Sequence, residues 1–245
     1  MKPSRRQLLG LTLPGLAAAQ SSPTQRMSIV CVGGHPDDPE SGCGGTLALY
    51  AGLGHAVTIV YLTRGEAGIP GKSHEQAAVI RTAECEASCK ILGARPRFAG
   101  QIDGATVVDA KAAEALGLLL AAEHPDIIFT QWPIDTHPDH QAASALAFRA
   151  WLAGGRRSQL YYYEVDLGSQ TMGFHPTDYA DITAVREKKK AALFAHKSQN
   201  GEEIYRRHHE VMENFRGREA GSTAAEAFVH LARGNGRSPL PGLGL

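Results

Sequence analysis

Two short stretches of this chain gather side chains that can hold a cation and move a proton. GGHPDDPE carries His35, Asp37, Asp38 and Glu40, and WPIDTHPDH, much later, carries His137, Asp139 and His140. Imidazole and carboxylate are the usual nitrogen and oxygen ligands of zinc, and a catalytic site takes three of them while leaving a position for water. His35, Asp38 and His140 supply that number. Asp37, adjacent to a ligand, could take a proton from the attacking water, and His137 could stabilise the oxyanion that forms on an attacked carbonyl. Pro36 and Pro138 restrict the turns that carry these groups. The glycines of SGCGGT do not keep a dinucleotide-binding spacing after a strand, and Asp37, Asp38 and Glu40 would repel a pyrophosphate.

These groups need a scaffold that brings the two stretches together. Met27 to Val32 is a short apolar run that suits a buried strand, and Gly44 to Leu53 reads as a helix. Val57 to Thr63 follows as a strand, then Ser73 to Leu92 as a helix with Ser73 as N-cap and Gln76 three residues on. Ala110 to Glu123 reads as a helix, Asp126 to Thr130 as a strand and Asp139 to Leu152 as a helix. Leu160 to Glu164 and Tyr179 to Ile182 read as strands, and Ala184 to Ala195 as a helix. Alternating strands and helices imply a mainly parallel sheet in an α/β, Rossmann-like three-layer sandwich. Both clusters then fall in loops at the carboxyl ends of strands, where open α/β sheets bind ligands.

The 245 residues fit one domain, and 25 basic against 25 acidic residues, with no basic stripe, argue against nucleic acid as a partner. Residues 1–19 have a basic start, an apolar run from Leu8 to Leu16 and Ala17-Ala18-Ala19, the layout of a secretory signal peptide. The arginines of SRRQLL further suggest a twin-arginine leader, so export to the periplasm or the exterior is expected. The apolar run is too short for a permanent membrane span. Residues 233–245 read as a flexible tail. Cys31, Cys43, Cys85 and Cys89 form no C-x-x-C pair and read as core residues, with Cys85 and Cys89 one helical turn apart. In the aromatic run, alternation sends Tyr162 to the face opposite Tyr161 and Tyr163, which favours packing over sugar stacking.

The chain resembles the LmbE-like or PIG-L family of zinc-dependent de-N-acetylases. The resemblance rests on HPDDPESGCGGTLA from His35, LTRGEAG from Leu62, Arg81 and Glu84, HPDH from His137, DIT from Asp181, AHKSQ from Ala195 and AGSTAAEAF from Ala220, within residues 27–232. It implies the LmbE-like fold and one Zn2+ per chain, with Fe2+ or Co2+ as alternatives, held by His35, Asp38 and His140. It also implies Asp37 as general base, His137 at the oxyanion, and Arg64 and Asp103 in contact with substrate. Relatives often carry an acid-Tyr pair before HPDH; Asp135-Thr136 stands here, so no tyrosine is expected at the oxyanion. The implied activity is hydrolysis of the acetamide of an N-acetylglucosamine-containing substrate. An amidase of non-sugar or thiol-conjugate amides and a non-catalytic sugar-binding protein are the alternatives. A small amino-sugar is the expected partner, and the resemblance leaves a homo-oligomer open. AHKSQ gives no chemical role beyond a helix end.

Overall fold

A strand at the centre of a sheet covered on both faces must be apolar throughout, and β1 (Ser28–Gly33) meets that condition with Ile29, Val30, Cys31 and Val32 fully buried. The computed structural model describes residues 26–166, 169–231 and 240–243. Beside β1 run β2 (Ala56–Tyr61), β3 (Arg95–Phe98), β4 (Ile127–Gln131) and β5 (Gln159–Tyr163), all parallel. β6 (Asp178–Asp181) and β7 (Ala225–His230) complete a seven-stranded sheet in the order β3-β2-β1-β4-β5-β7-β6, with β7 antiparallel to β5 and β6. One core joins the sheet to α1 (Asp38–Gly52), α2 (His74–Leu92) and α5 (Arg186–Phe194). The other joins it to α3 (Ala110–Glu123) and α4 (Pro138–Ala153). The expected three-layer α/β sandwich with a mainly parallel sheet is therefore the observed one.

Strand order places the chemistry. Crossovers from β1 lead outward to β2 and β3, whereas β4 pairs on the other side of β1 and leads to β5. That reversal opens a crevice at the carboxyl ends of β1 and β4, the place where doubly wound sheets bind ligands. Both motifs emerge there, and the Gly34 N–H donates to Gln131 Oε1 (2.8 Å) across the gap.

Several elements differ from expectation for identifiable reasons. α1 begins at Asp38, not Gly44, so Asp38 and Glu40 stand in its first turn instead of a loop. Pro39 and the reciprocal cap between Asp37 and Glu40 start the helix. Its glycines argue against a helix by propensity, but Gly45 is needed for packing, since a Cβ there would come within 2.6 Å of Ile182. β3 is short and partly exposed, and β7 is rich in alanine and holds a buried glutamate, so neither has the expected strand pattern. A further helical stretch runs from α6 (Gly201–Ile204) through a π-turn at Tyr205–His209 into α7 (Glu210–Ala220). His209 is buried within it, although it stands in a charged stretch of the sequence.

All four cysteines are buried free thiols in the core shared with α1 and α2. Tyr161 and Tyr163 lie in that core and Tyr162 in the opposite one, as strand alternation requires. Of the segment expected to be a tail, residues 240–243 lie against the body, with Leu240 buried and Tyr50 donating to Pro241 O (2.9 Å). The leader expected over residues 1–19 lies outside the described residues. No helix among the described residues is long and apolar enough to cross a membrane.

Candidate metal centre and active site

The turn between β1 and α1 is held in an unusual shape. Asp37 has φ +107° and ψ −31°, a conformation that L residues seldom adopt without surrounding support. Its N–H donates to Glu40 Oε2 (3.2 Å), and its carboxylate is 3.3 Å from the Arg81 guanidinium. Arg81, from α2, also donates to the carbonyls of Pro36 and Gly65. It lies so close to the LTRGEAG loop that a Cβ on Gly68 would come within 2.5 Å of its Nη1, and a Cβ on Gly65 nearer still. The glycines of that motif therefore make room for Arg81.

Around this turn the two motifs meet. His35 Nδ1 and His140 Nε2 each lie 3.1 Å from an oxygen of Asp38, so the carboxylate sits between the two imidazoles. The far nitrogen of each ring is backed by acceptors or amides. His35 Nε2 is 3.0 Å from Asp139 and 3.2 Å from Asp103; His140 Nδ1 is 3.3 Å from Asp135 and 3.0 Å from Gln170. His137 caps α4, accepting the Asp139 N–H at Nδ1 (3.2 Å), and its ring stacks on His140. A neutral imidazole that accepts at Nδ1 carries its proton on Nε2.

Electrostatics follow from these contacts. Burial would lower the basicity of both histidines, but the Asp38 charge and the carboxylates behind them raise His35 well above its ordinary value and His140 to about 9. Asp38 is held well below the carboxylate range against its burial by His140 and His35. Burial pushes Asp37 upward, with Arg81 pulling it back. His137 is lowered by burial and by the charges on His35 and His140.

A depression of about 410 Å³ opens over these groups, lined by His35, Asp37, Asp38, Asp103, His137 and His140 together with Arg81, Gln170 and Gln199. Asp103 belongs to this wall, and its second oxygen accepts the Ala67 N–H (2.9 Å). Arg64 does not line it: the side chain is exposed, and only its backbone N–H meets Glu66 (2.8 Å). Gln170 and Gln199 escape sequence reasoning because neither stands in a cluster of chemical groups; only AHKSQ signals the latter. A larger groove of about 870 Å³ between α3 and α4 brings no comparable donor set together among the described residues.

The residues fit a divalent cation. Among the described residues, His35, His137 and His140 form one donor group, and His35, Asp103 and Asp139 another, each with ligand atoms within 4.8 Å. Asp37, Asp38, Asp103, Asp135 and Asp139 surround two imidazoles, while Arg81 is the permanent cation lining the depression. Such an excess of acid favours a cation in place of the protons that otherwise hold His35 and His140 against Asp38. Carboxylates behind metal-binding imidazoles are the usual means of fixing tautomer and orientation.

With the geometry established, residues 30–151 match the family model described as GlcNAc-PI de-N-acetylase, PIG-L. An Escherichia coli protein named "Uncharacterized deacetylase YaiS" is 30% identical over 201 residues, spanning 74% of this chain and 97% of that one. The chain belongs to the PIG-L family. The diacetylchitobiose deacetylase of Thermococcus kodakarensis is 29% identical over 191 residues, 72% of each chain. The fold is shared with the N,N'-diacetylchitobiose deacetylase from Pyrococcus horikoshii, at a TM-score of 0.74 and 24% identity over 85% of each chain. The expectation of export is not upheld: these relatives are named for deacetylation with nothing in their names that points to export, and the segment that prompted the expectation lies outside the described residues. Paired arginines and a short apolar run are features of composition, and they do not by themselves set an export route.

Proposed function

We propose that this chain is a zinc-dependent de-N-acetylase that hydrolyses the acetamide of an N-acetylglucosamine-containing substrate to acetate and a free amine. The observation that carries the reading is the convergence of His35 and His140 on the two oxygens of Asp38, at the crevice where the two motifs meet. The names of its relatives add the reaction class and the sugar. In this reading His35, Asp38 and His140 hold the ion. When bound, zinc supplies Lewis acidity toward the carbonyl oxygen and lowers the pKa of water.

The remaining work falls to the protein's own groups. Asp37 takes the proton of the attacking water and delivers it to the leaving nitrogen; its burial raises it above the ordinary carboxylate value, the direction in which a carboxylate becomes a stronger base. His137, neutral and with its proton on Nε2, donates to the oxyanion as charge develops there. Asp139 and Asp135 orient the two histidines from behind. Asp103, Gln170 and Gln199 offer hydrogen bonds to sugar hydroxyls along the wall.

A fluorescamine assay for released amine tests the reading, run on N-acetylglucosamine conjugates, chitooligosaccharides and thiol-conjugate amides with zinc removed and restored. Amine release from the amino-sugars, lost on chelation and recovered with zinc, is expected. Release confined to non-sugar amides, or untouched by chelation, overturns it.

A further inference from the structure

The AHKSQ stretch delivers a histidine to the back of the catalytic turn. His196 is fully buried, and its Nε2 lies 3.1 Å from Glu40 Oε1, which also accepts the Tyr61 hydroxyl (2.7 Å). Glu40 in turn takes the N–H of Asp37 on its other oxygen (3.2 Å). The turn bearing His196 is itself anchored. Ser198 donates from N and Oγ to Glu84 on α2 (2.7 and 2.6 Å), and Gln199 donates to Gly68 O (3.0 Å). A chain of contacts thus runs from α2 through His196 and Glu40 to a residue held at φ +107°. Neither Glu40 nor His196 lines the depression, so neither touches substrate.

We propose that His196 and Glu40 are positioning residues that hold Asp37 in its strained conformation and so aim its carboxylate at the attacking water. This rests on the reading of Asp37 as the general base. A backbone conformation that is unfavourable alone persists only where its surroundings over-determine it. Glu40 supplies that determination from the backbone side, and Arg81 from the side chain. Removing the acceptor at Glu40 lets the turn relax toward ordinary dihedral angles, displacing the carboxylate while leaving Asp38, His35 and His140 in place. A displacement on the order of 1 Å can cost about 10²-fold in rate.

The test compares Glu40→Ala, Glu40→Gln, His196→Ala and His196→Gln with Asp37→Asn, and with the double variant Asp37→Asn/Glu40→Ala. For each zinc-loaded protein, kcat, KM, bound zinc and thermal unfolding are measured. Glu40→Ala and His196→Ala should lose kcat by roughly 10²-fold with KM within about twofold and zinc retained, and the Gln variants should recover much of it. In the double variant the loss should be no greater than in Asp37→Asn alone, because Glu40 acts only through Asp37. Should an Ala variant fail to fold, Glu40→Met or His196→Met, which fills the space without making the hydrogen bond, takes its place in the kinetic and double-variant comparisons. Multiplying losses, or unchanged kcat in the His196 and Glu40 variants, overturns the positioning role while leaving Asp37 as base. Full kcat in Asp37→Asn overturns both.

Discussion

At the N-terminal end of α1, Asp37, Asp38, Asp103, Asp135 and Asp139 gather about His35 and His140, with Arg81 at the edge of an open depression of about 410 Å³. Further along the same helix, charge is buried differently. Glu226 accepts from the N–H groups of Gly45 and Thr46 and from the Thr46 hydroxyl, and shares Lys189 with Glu213. Beside them Glu164 accepts from Nε and Nη2 of Arg216 (2.6 and 2.7 Å), and the space between measures about 10 Å³. Here every carboxylate meets a cation or backbone donors, and no ligand has room to enter. The pair teaches that burial of charge alone does not mark a site. What marks it is charge left unbalanced beside open space, and the second cluster serves instead to tie α1 to β7 and α7.

If the first cluster is a metal centre, breaking it should abolish function without unfolding the protein. His140→Ala is expected to reduce bound zinc from about one per chain to a small fraction, since two remaining ligands bind weakly, and to remove activity. Elemental analysis of the purified variant decides, and full occupancy would remove the basis for the proposed ligand set. Within the same cluster, Asp37→Asn should keep its zinc yet lose about 10²- to 10⁴-fold in kcat with little change in KM. Steady-state kinetics beside zinc content separate the two neighbouring aspartates.

The second cluster should answer in the opposite way. Lys189→Met leaves Glu213 and Glu226 buried without their shared cation, and a loss of about 3–5 kcal/mol in urea unfolding is expected, with zinc content and kcat of the folded protein nearly unchanged. Adding Glu226→Gln should recover part of that loss, because Glu213 keeps Arg186 (3.0 Å) as its partner and Glu226 is then no longer a buried charge without a cation.

The smallest effect concerns pH. His209 is pushed down to about 3 by burial first and then by the charges of Lys189 and His208. Unfolded, it takes up a proton near 6.5. Its contribution to stability is therefore complete above about pH 6.5 and is lost as pH falls toward 3, at up to about 1.4 kcal/mol per pH unit. His209→Gln should flatten that slope in urea titrations between pH 4 and 7, and an unchanged slope would contradict the burial of a neutral ring.

The alternation of strands and helices was legible because each element has its own apolar period, and Ser73 with Gln76 marked the start of α2 as expected. The meeting of the two motifs was legible because His35, Asp37, Asp38, His137 and His140 are few, unlike their surroundings and clustered. What escaped depends on tertiary partners. The early start of α1 required knowing that Gly42 lies against Tyr163 and the Glu164 carbonyl, and β7 that its glutamate would meet backbone donors of α1. His196 looked like a helix end because its partner Glu40 lies 156 residues away in sequence. Arg64 illustrates the opposite limit, since a motif position alone did not establish which way its side chain would point.

The four thiols have a practical consequence. Cys31, Cys43, Cys85 and Cys89 are all fully buried, and all lie in the core on the α1 and α2 side of the sheet, none in the core under α3 and α4. A thiol-specific reagent can therefore react only when that layer opens. The rate of labelling in native buffer becomes a clock for one half of the molecule, and its response to added zinc reports whether ligand at the crevice slows the opening of the helices behind it.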